Sequence, residues 1–121
     1  MSVQYTLSKI VTLGDLKKIG LTVEDHREDN GHPFTVSNEN GSVVAISSIE
    51  TNDSPNEDNW EITEFEGKFS RGGSGVMLEI CDKLNRMFIT DEDIDNMLRE
   101  NKNEITAEMF KNRTEEFRKM L

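Results

Sequence analysis

Cysteine, histidine and long apolar runs are scarce in this sequence, and each scarcity excludes a class of protein. One cysteine among 121 residues cannot form an internal disulfide, so a disulfide-stapled scaffold is excluded. The histidines, His26 and His32, have no companion at metal-ligand spacing, which disfavours a metal site. No apolar run approaches the roughly 20 residues of a membrane-spanning helix. The N-terminus lacks the basic and apolar regions of a signal peptide, so we expect a cytoplasmic protein.

Basic residues are also few: 14 Lys and Arg stand against 24 Asp and Glu, and the formal net charge is −10. This balance disfavours direct nucleic-acid binding, because phosphate contacts need a basic surface. The acids concentrate in the interval 50–66, which has no Lys or Arg, and in the run 91–95. Such runs are usually solvated faces. The alternative is a docking surface for a basic protein partner. Its candidate contacts are Asp53, Glu57, Asp58, Asp91, Asp93 and Asp95.

The apolar pattern predicts a single α+β domain over residues 1–121, with a mainly antiparallel sheet packed with helices. A chain of this length buries roughly two-thirds of its unfolded surface. Asn40-Gly41 is the strongest hairpin signal, and the stretch 23–33 is predicted as a polar loop. The predicted strands are 3–7, 34–37, 43–49 and 60–65.

Four helices are predicted from apolar spacing and capping signals. Thr12 and Thr90 each precede an Asp by three residues, which is typical of a capped helix start. The predicted helices are 12–20, 76–88, 90–100 and 106–121. The second helix carries Cys81 on its apolar stripe, where a small buried hydrophobe is expected. We expect the stripe residues Met77, Ile80, Leu84 and Phe88 to pack on Ile46, Trp60 and Ile62. The third helix is expected to bury Ile94, Met97 and Leu98.

A glycine-rich turn, 71–75, lies between the strand that ends near Phe65 and the helix that begins near Val76. Such an entry points unpaired backbone N–H groups and the positive end of the helix dipole at one place. Glycines let an anion approach the backbone more closely than a Cβ allows. The turn is therefore a candidate phosphate cradle. A plain connection with Ser74 as the N-cap gives the same pattern.

The stretch 34–110 resembles a reduced member of the GNAT N-acetyltransferase superfamily. In that family an aromatic residue precedes an Arg/Gln-x-x-Gly-x-Gly/Ala motif, and a leucine follows the last glycine by three residues. Here Phe69, the segment 70–75 and Leu78 match this pattern.

The resemblance implies a GNAT-like core that binds acetyl-coenzyme A and transfers the acetyl group to an amine on a protein or small molecule. The strand before the turn would splay and donate an N–H to the thioester carbonyl. A glutamate, Glu61 or Glu64, would deprotonate the amine. The implied coenzyme-binding residues are Phe65, Arg71, Gly72, Gly73, Ser74, Gly75 and Val76.

Two departures from the family pattern keep a second function open. Ser70 stands where the family has Arg or Gln, and Phe110 stands where it often has a tyrosine acid. The alternative is a non-catalytic acidic binding protein, such as an immunity protein, an enzyme inhibitor or a phage-encoded antagonist of a basic partner. Small size and strong acidity suit that class.

Overall fold

The computed structural model describes residues 2–28, 34–68, 72–100 and 105–120. Over these residues, seven antiparallel strands form one sheet packed with four helices, which confirms the predicted α+β class. The strands are β1 (Ser2–Leu7), β2 (Val11–Thr12), β3 (Thr22–Asp25), β4 (Phe34–Ser37), β5 (Val43–Glu50), β6 (Glu61–Lys68) and β7 (Phe88–Thr90). The helices are α1 (Leu13–Lys18), α2 (Gly73–Leu84), α3 (Asp91–Arg99) and α4 (Ala107–Met120). A 3-10 turn spans Glu57–Asn59.

The sheet order is β3-β4-β5-β6-β1-β7, and β2 continues beside β6 where β1 leaves it. The N-terminal strand therefore lies inside the sheet. Tyr5 of β1 is opposite Phe65 of β6 on one side and Thr90 of β7 on the other. The strands that precede and follow α2 are consequently separated by β1.

The β4–β5 hairpin forms where Asn40-Gly41 predicts it. Ser37 is opposite Val43, and Gly41 has a φ of 81°. The Asn38 side chain accepts the backbone N–H groups of Asn40 and Ser42, so an Asx-type turn closes the loop.

The prediction of a loop from residue 23 was wrong, because Thr22–Asp25 forms the edge strand β3. Glu and Asp have low strand propensity, and local sequence therefore misses this strand. It forms because its Val23 is opposite Val36 of β4 and packs against the core. His32 lies outside the described residues.

Both predicted capping boxes are present, at Thr12 with Asp15 and at Thr90 with Asp93. The second helix is shorter than its apolar stripe predicts. It ends at Leu84, because Asn85 adopts a left-handed conformation with a φ of 55°, a common helix stop. Phe88 then pairs with β1 as part of β7.

The core lies between α2 and one face of the sheet. Met77, Ile80 and Cys81 of α2 are buried in one cluster with Ile46 and Phe65. Leu84, expected to be buried, lies half-exposed at the end of the helix.

Helix α3 buries less of its apolar stripe than expected. Met97 is 8% exposed, but Leu98 is 61% exposed and Ile94 is half-buried. The main contacts of α3 with the sheet are to β1 and β7, so Leu98 on its other face stays exposed. Within the described ranges, every helix is too short or too polar to cross a membrane.

Candidate functional site

The start of α2 is packed closely on the rest of the fold, and this packing accounts for the glycines at 67 and 72. Gly72 is the N-cap, with a left-handed φ of 68° and no side-chain cap. A Cβ added to Gly72 would lie 2.6 Å from the Ser42 Oγ. A Cβ added to Gly67 of β6 would lie 3.0 Å from the Tyr5 ring and 3.3 Å from the Gly73 Cα. Helix and sheet therefore approach more closely than side chains would allow. Arg71 lies outside the described residues.

Ser74 is not the N-cap, contrary to the simpler interpretation of the turn. It is a buried helix residue whose Oγ lies 3.0 Å from the Tyr5 Oη. Burial raises the pKa of Tyr5, and the hydrogen bond to Ser74 opposes part of that rise. This pair fixes the start of α2 to the central strand β1. Of the other implied cradle residues, Gly73 and Val76 are buried, while Gly72 and Gly75 are half-buried.

The strand splay that the resemblance implies at Phe65 is absent from the described sheet. Phe65 is 1% exposed and is opposite Tyr5 of β1 and Ile46 of β5. Strand β6 is therefore hydrogen-bonded to a neighbouring strand on both sides at this residue.

The two candidate bases do not meet at the glycine-rich turn. Glu64 points to the face of the sheet opposite α2, where its carboxylate accepts the Ser47 hydroxyl at 3.0 Å. Glu61, at the other end of β6 from the turn, accepts a hydrogen bond from Asn52. Each carboxylate therefore has a local partner on β5 or in the loop that follows it.

The loop 51–60 between β5 and β6 carries three of the candidate partner contacts, and two of them form ion pairs within the chain. Asp58 pairs with Lys17 at 2.7 Å, and Glu57 pairs with Arg27. Asp53, in a left-handed conformation with a φ of 57°, is exposed and has no ion pair with a described residue. Two of the three loop acids thus hold the loop onto α1 and onto Arg27, which follows β3.

Arg27 is the centre of this attachment. Its guanidinium makes a two-point hydrogen bond to Asp25 and lies 5.4 Å from the ring centroids of both Phe34 and Trp60. The guanidinium holds the pKa of Asp25 below its usual range.

Two of the three candidate acids of α3 also have partners within the chain. Asp93 closes the capping box and pairs with Arg113 at 2.9 Å. Asp91 accepts the backbone N–H of Gln4 at 3.3 Å. Asp95 is exposed. The predicted partner contacts therefore do not form one free acidic surface.

An acidic surface that sequence patterns missed lies on the sheet face opposite α2, which we call the open face. One cross-strand row runs Gln4, Glu66, Ala45, Thr35, Glu24 over strands β1, β6, β5, β4 and β3. Gln4 and Glu24 are exposed, and the other three are half-buried.

Glu64 and Ser47 extend the open face next to this row. Helices α1 and α2 contact these strands from the core side. The His26 ring also lies against this face, where its Nε2 is 2.9 Å from the Thr35 Oγ1 and 3.6 Å from the Glu24 Oε2. The alternation of polar residues along each strand indicates such a face, but only the register of the paired strands brings its glutamates together.

The described residues contain neither a reactive thiol nor a metal centre. Cys81 is 2% exposed, and burial raises the pKa of its thiol to about 12, so the thiolate that acts as a nucleophile is suppressed. No group of three or more His, Cys, Asp or Glu side chains in the described ranges could hold a metal ion.

Comparison with protein-family models, with curated proteins and with solved structures finds no match for this chain. Its function is therefore inferred from geometry and charge.

Proposed function

We propose that this domain is a non-catalytic binding protein that docks a positively charged protein partner on its open face. The observation that supports this is the cross-strand row in which Glu24 and Glu66 flank the small side chains of Thr35 and Ala45. Ala45 is small and lets a partner come close to the sheet there, whereas the His26 ring lies against Thr35. The flanking carboxylates then lie at the sides of the contact.

The charge distribution favours this face over the two acidic runs. Asp58, Glu57 and Asp93 already pair with a lysine or arginine of the same chain. On the open face, Glu64 accepts the neutral hydroxyl of Ser47, and Glu24 lies 3.6 Å from the His26 Nε2. Half-buried carboxylates are also less screened by salt than fully exposed ones. The net charge of −10 would add long-range steering of a basic partner.

A neutralised open face tests the proposal. The triple variant Glu24→Gln, Glu64→Gln, Glu66→Gln keeps side-chain size and an acceptor for Ser47. The matched control changes three exposed acids on the helices by the same charge: Glu92→Gln, Glu108→Gln, Glu115→Gln. The probe is a synthetic peptide with lysine at alternate positions, and its affinity is measured by calorimetry at several salt concentrations.

We expect the open-face variant to lose about tenfold or more in affinity, equivalent to about 1.4 kcal/mol. The control should lose much less, and the salt dependence should flatten only in the open-face variant. Equal losses in the two variants would show that the open face has no particular role and that only net charge matters.

The start of α2 supports a second candidate, a phosphate-bearing coenzyme such as acetyl-coenzyme A. The supporting observation is that this helix begins without a side-chain cap. The Gly75 N–H is bonded to the Gly72 carbonyl oxygen, which leaves the N–H groups of Gly73 and Ser74 without an acceptor in the helix for an anion to meet. Gly75 is the suitable position for a test, because an added Cβ would meet only the Ser42 Oγ at 3.7 Å.

A thermal shift separates this candidate from the first. Coenzyme at a hundred times its Kd should stabilise the fold by about 2.7 kcal/mol. Gly75→Glu should abolish that shift and change the melting temperature of the free protein by only a few degrees. Absence of a shift in the unmutated protein at millimolar acetyl-coenzyme A would contradict coenzyme binding.

A further inference from the structure

The backbone groups at the two edges of the sheet differ in their hydrogen-bond partners. At the β7 edge, the Thr114 hydroxyl of α4 accepts the backbone N–H of Phe88 at 2.9 Å and lies 3.2 Å from the Phe88 carbonyl oxygen. At the other edge, β3 pairs with β4 on one side only. No described residue makes a backbone hydrogen bond to Thr22–Asp25 from the outer side.

An edge strand of this kind leaves alternate N–H and C=O groups unpaired. In β3, two of the four residues in Thr22–Asp25 therefore present both groups outward. Thr22, Glu24 and Asp25 are exposed and Val23 is half-buried, so most of this edge is accessible. A peptide strand could add to it by backbone hydrogen bonds.

The charge at this edge defines what kind of strand fits. Glu24, which lies 3.6 Å from the His26 Nε2, begins the acidic row of the open face, and the exposed Glu28 follows β3. An added strand would place every second side chain on the open face, next to Glu24. Lysine or arginine at those positions would meet a carboxylate at the distance of neighbouring strands.

We propose that the outer edge of β3 accepts an extended basic segment of the partner as an additional strand of the sheet. This inference rests on the proposed function and specifies the conformation of the partner. A second copy of the chain fits less well. Each copy carries a net charge of −10, and pairing β3 with itself would bring Glu24 and Asp25 of both copies together, where like charges are destabilising.

Two peptides of equal charge test the backbone contribution. The first has the sequence Lys-Val-Lys-Thr-Lys-Val-Lys with blocked ends. The second is N-methylated at the central threonine and at the lysine that follows it, so that each edge of the peptide strand lacks one backbone N–H donor. Binding is measured by calorimetry, and amide hydrogen exchange of Thr22–Asp25 is followed by NMR.

We expect the unmodified peptide to slow exchange of the outward amides of β3 by about tenfold or more at saturation. The N-methylated peptide should bind at least about tenfold more weakly. Glu24→Lys should weaken binding of the unmodified peptide, whereas the matched control Glu39→Lys, in the β4–β5 turn, should not.

Three results would overturn the inference. Equal binding of both peptides without protection of β3, sensitive to Glu64→Gln and Glu66→Gln, would leave the open face as a docking surface but exclude strand addition. Protection of β3 that rises with protein concentration, without any peptide, would identify a second copy as the occupant. Failure of both peptides to bind at low ionic strength would contradict the proposed function together with this inference.

Discussion

Replacing Thr114 by valine should destabilise the domain although the side chain keeps its shape. Thr114 is 3% exposed, and its hydroxyl serves the outer edge of β7 from helix α4. The same hydroxyl lies 2.7 Å from the Phe110 carbonyl oxygen. It therefore acts as an acceptor for Phe88 and a donor to a carbonyl oxygen. Valine removes both functions.

The expected magnitude follows from the groups left without a partner. A buried backbone N–H that loses its acceptor costs about 1–3 kcal/mol. With a urea m-value of about 1.5 kcal/mol/M, the midpoint should fall by about 0.7–2 M. The single tryptophan, Trp60, provides a fluorescence signal for unfolding. Amide exchange at Phe88 should accelerate more than exchange at Tyr5, because the loss is local to the β7 edge.

Thr114→Ser is the matched control. It keeps the hydroxyl and removes one methyl group, which is equivalent to about 0.8 kcal/mol of apolar burial. The order of stability should therefore be wild type, then serine, then valine. A valine variant as stable as the wild type, or more stable than the serine variant, would refute the idea that this hydroxyl completes the sheet edge.

Three further predictions concern α2. Gly72→Ala should cost about 1–2 kcal/mol by urea unfolding, because its φ of 68° is strained for any residue with a Cβ; unchanged stability would contradict the left-handed N-cap. Ile80→Ala should cost about 2–5 kcal/mol, and Leu84→Ala should cost clearly less, because Ile80 is fully buried and Leu84 is not; equal losses would contradict the observed end of the helix. Burial raises the pKa of the Cys81 thiol to about 12, so the thiol ionises at lower pH in the unfolded chain than in the folded one. Its contribution to stability is therefore present below about pH 8.5 and is lost as pH rises toward 12. Alkylation of the native protein at pH 8 should accordingly be no faster than unfolding.

Much of the fold was predictable, because its signals are local. The capping boxes at Thr12 and Thr90, the hairpin at Asn40-Gly41 and the apolar stripe of α2 depend on residues within a few positions of one another. Edge strand β3 was missed because its Glu-Asp ending opposes strand formation until β4 pairs with it. Leu98 was misplaced because spacing shows that a helix has an apolar stripe but not how wide its contact with the sheet is.

The candidate site was much less predictable. Sequence spacing found the acids of the loop and of α3, but it could not show that Lys17, Arg27 and Arg113 come from other elements to pair with them. It also found the glycine-rich turn, but it could not show that Ser42 and Tyr5 lie against it.

The sequence by itself determined the α+β class, the acidic character and most of the helix starts. Composition and the side chains that cap a helix are set by residues within a few positions of one another, so they can be read without the fold. Tertiary structure alone decided that β1 lies between β6 and β7, which closes the side of β6 next to Phe65. It also decided which carboxylates share the open face. Glu24 and Glu66 are 42 positions apart in the sequence, and only the register of four strands places them in one row.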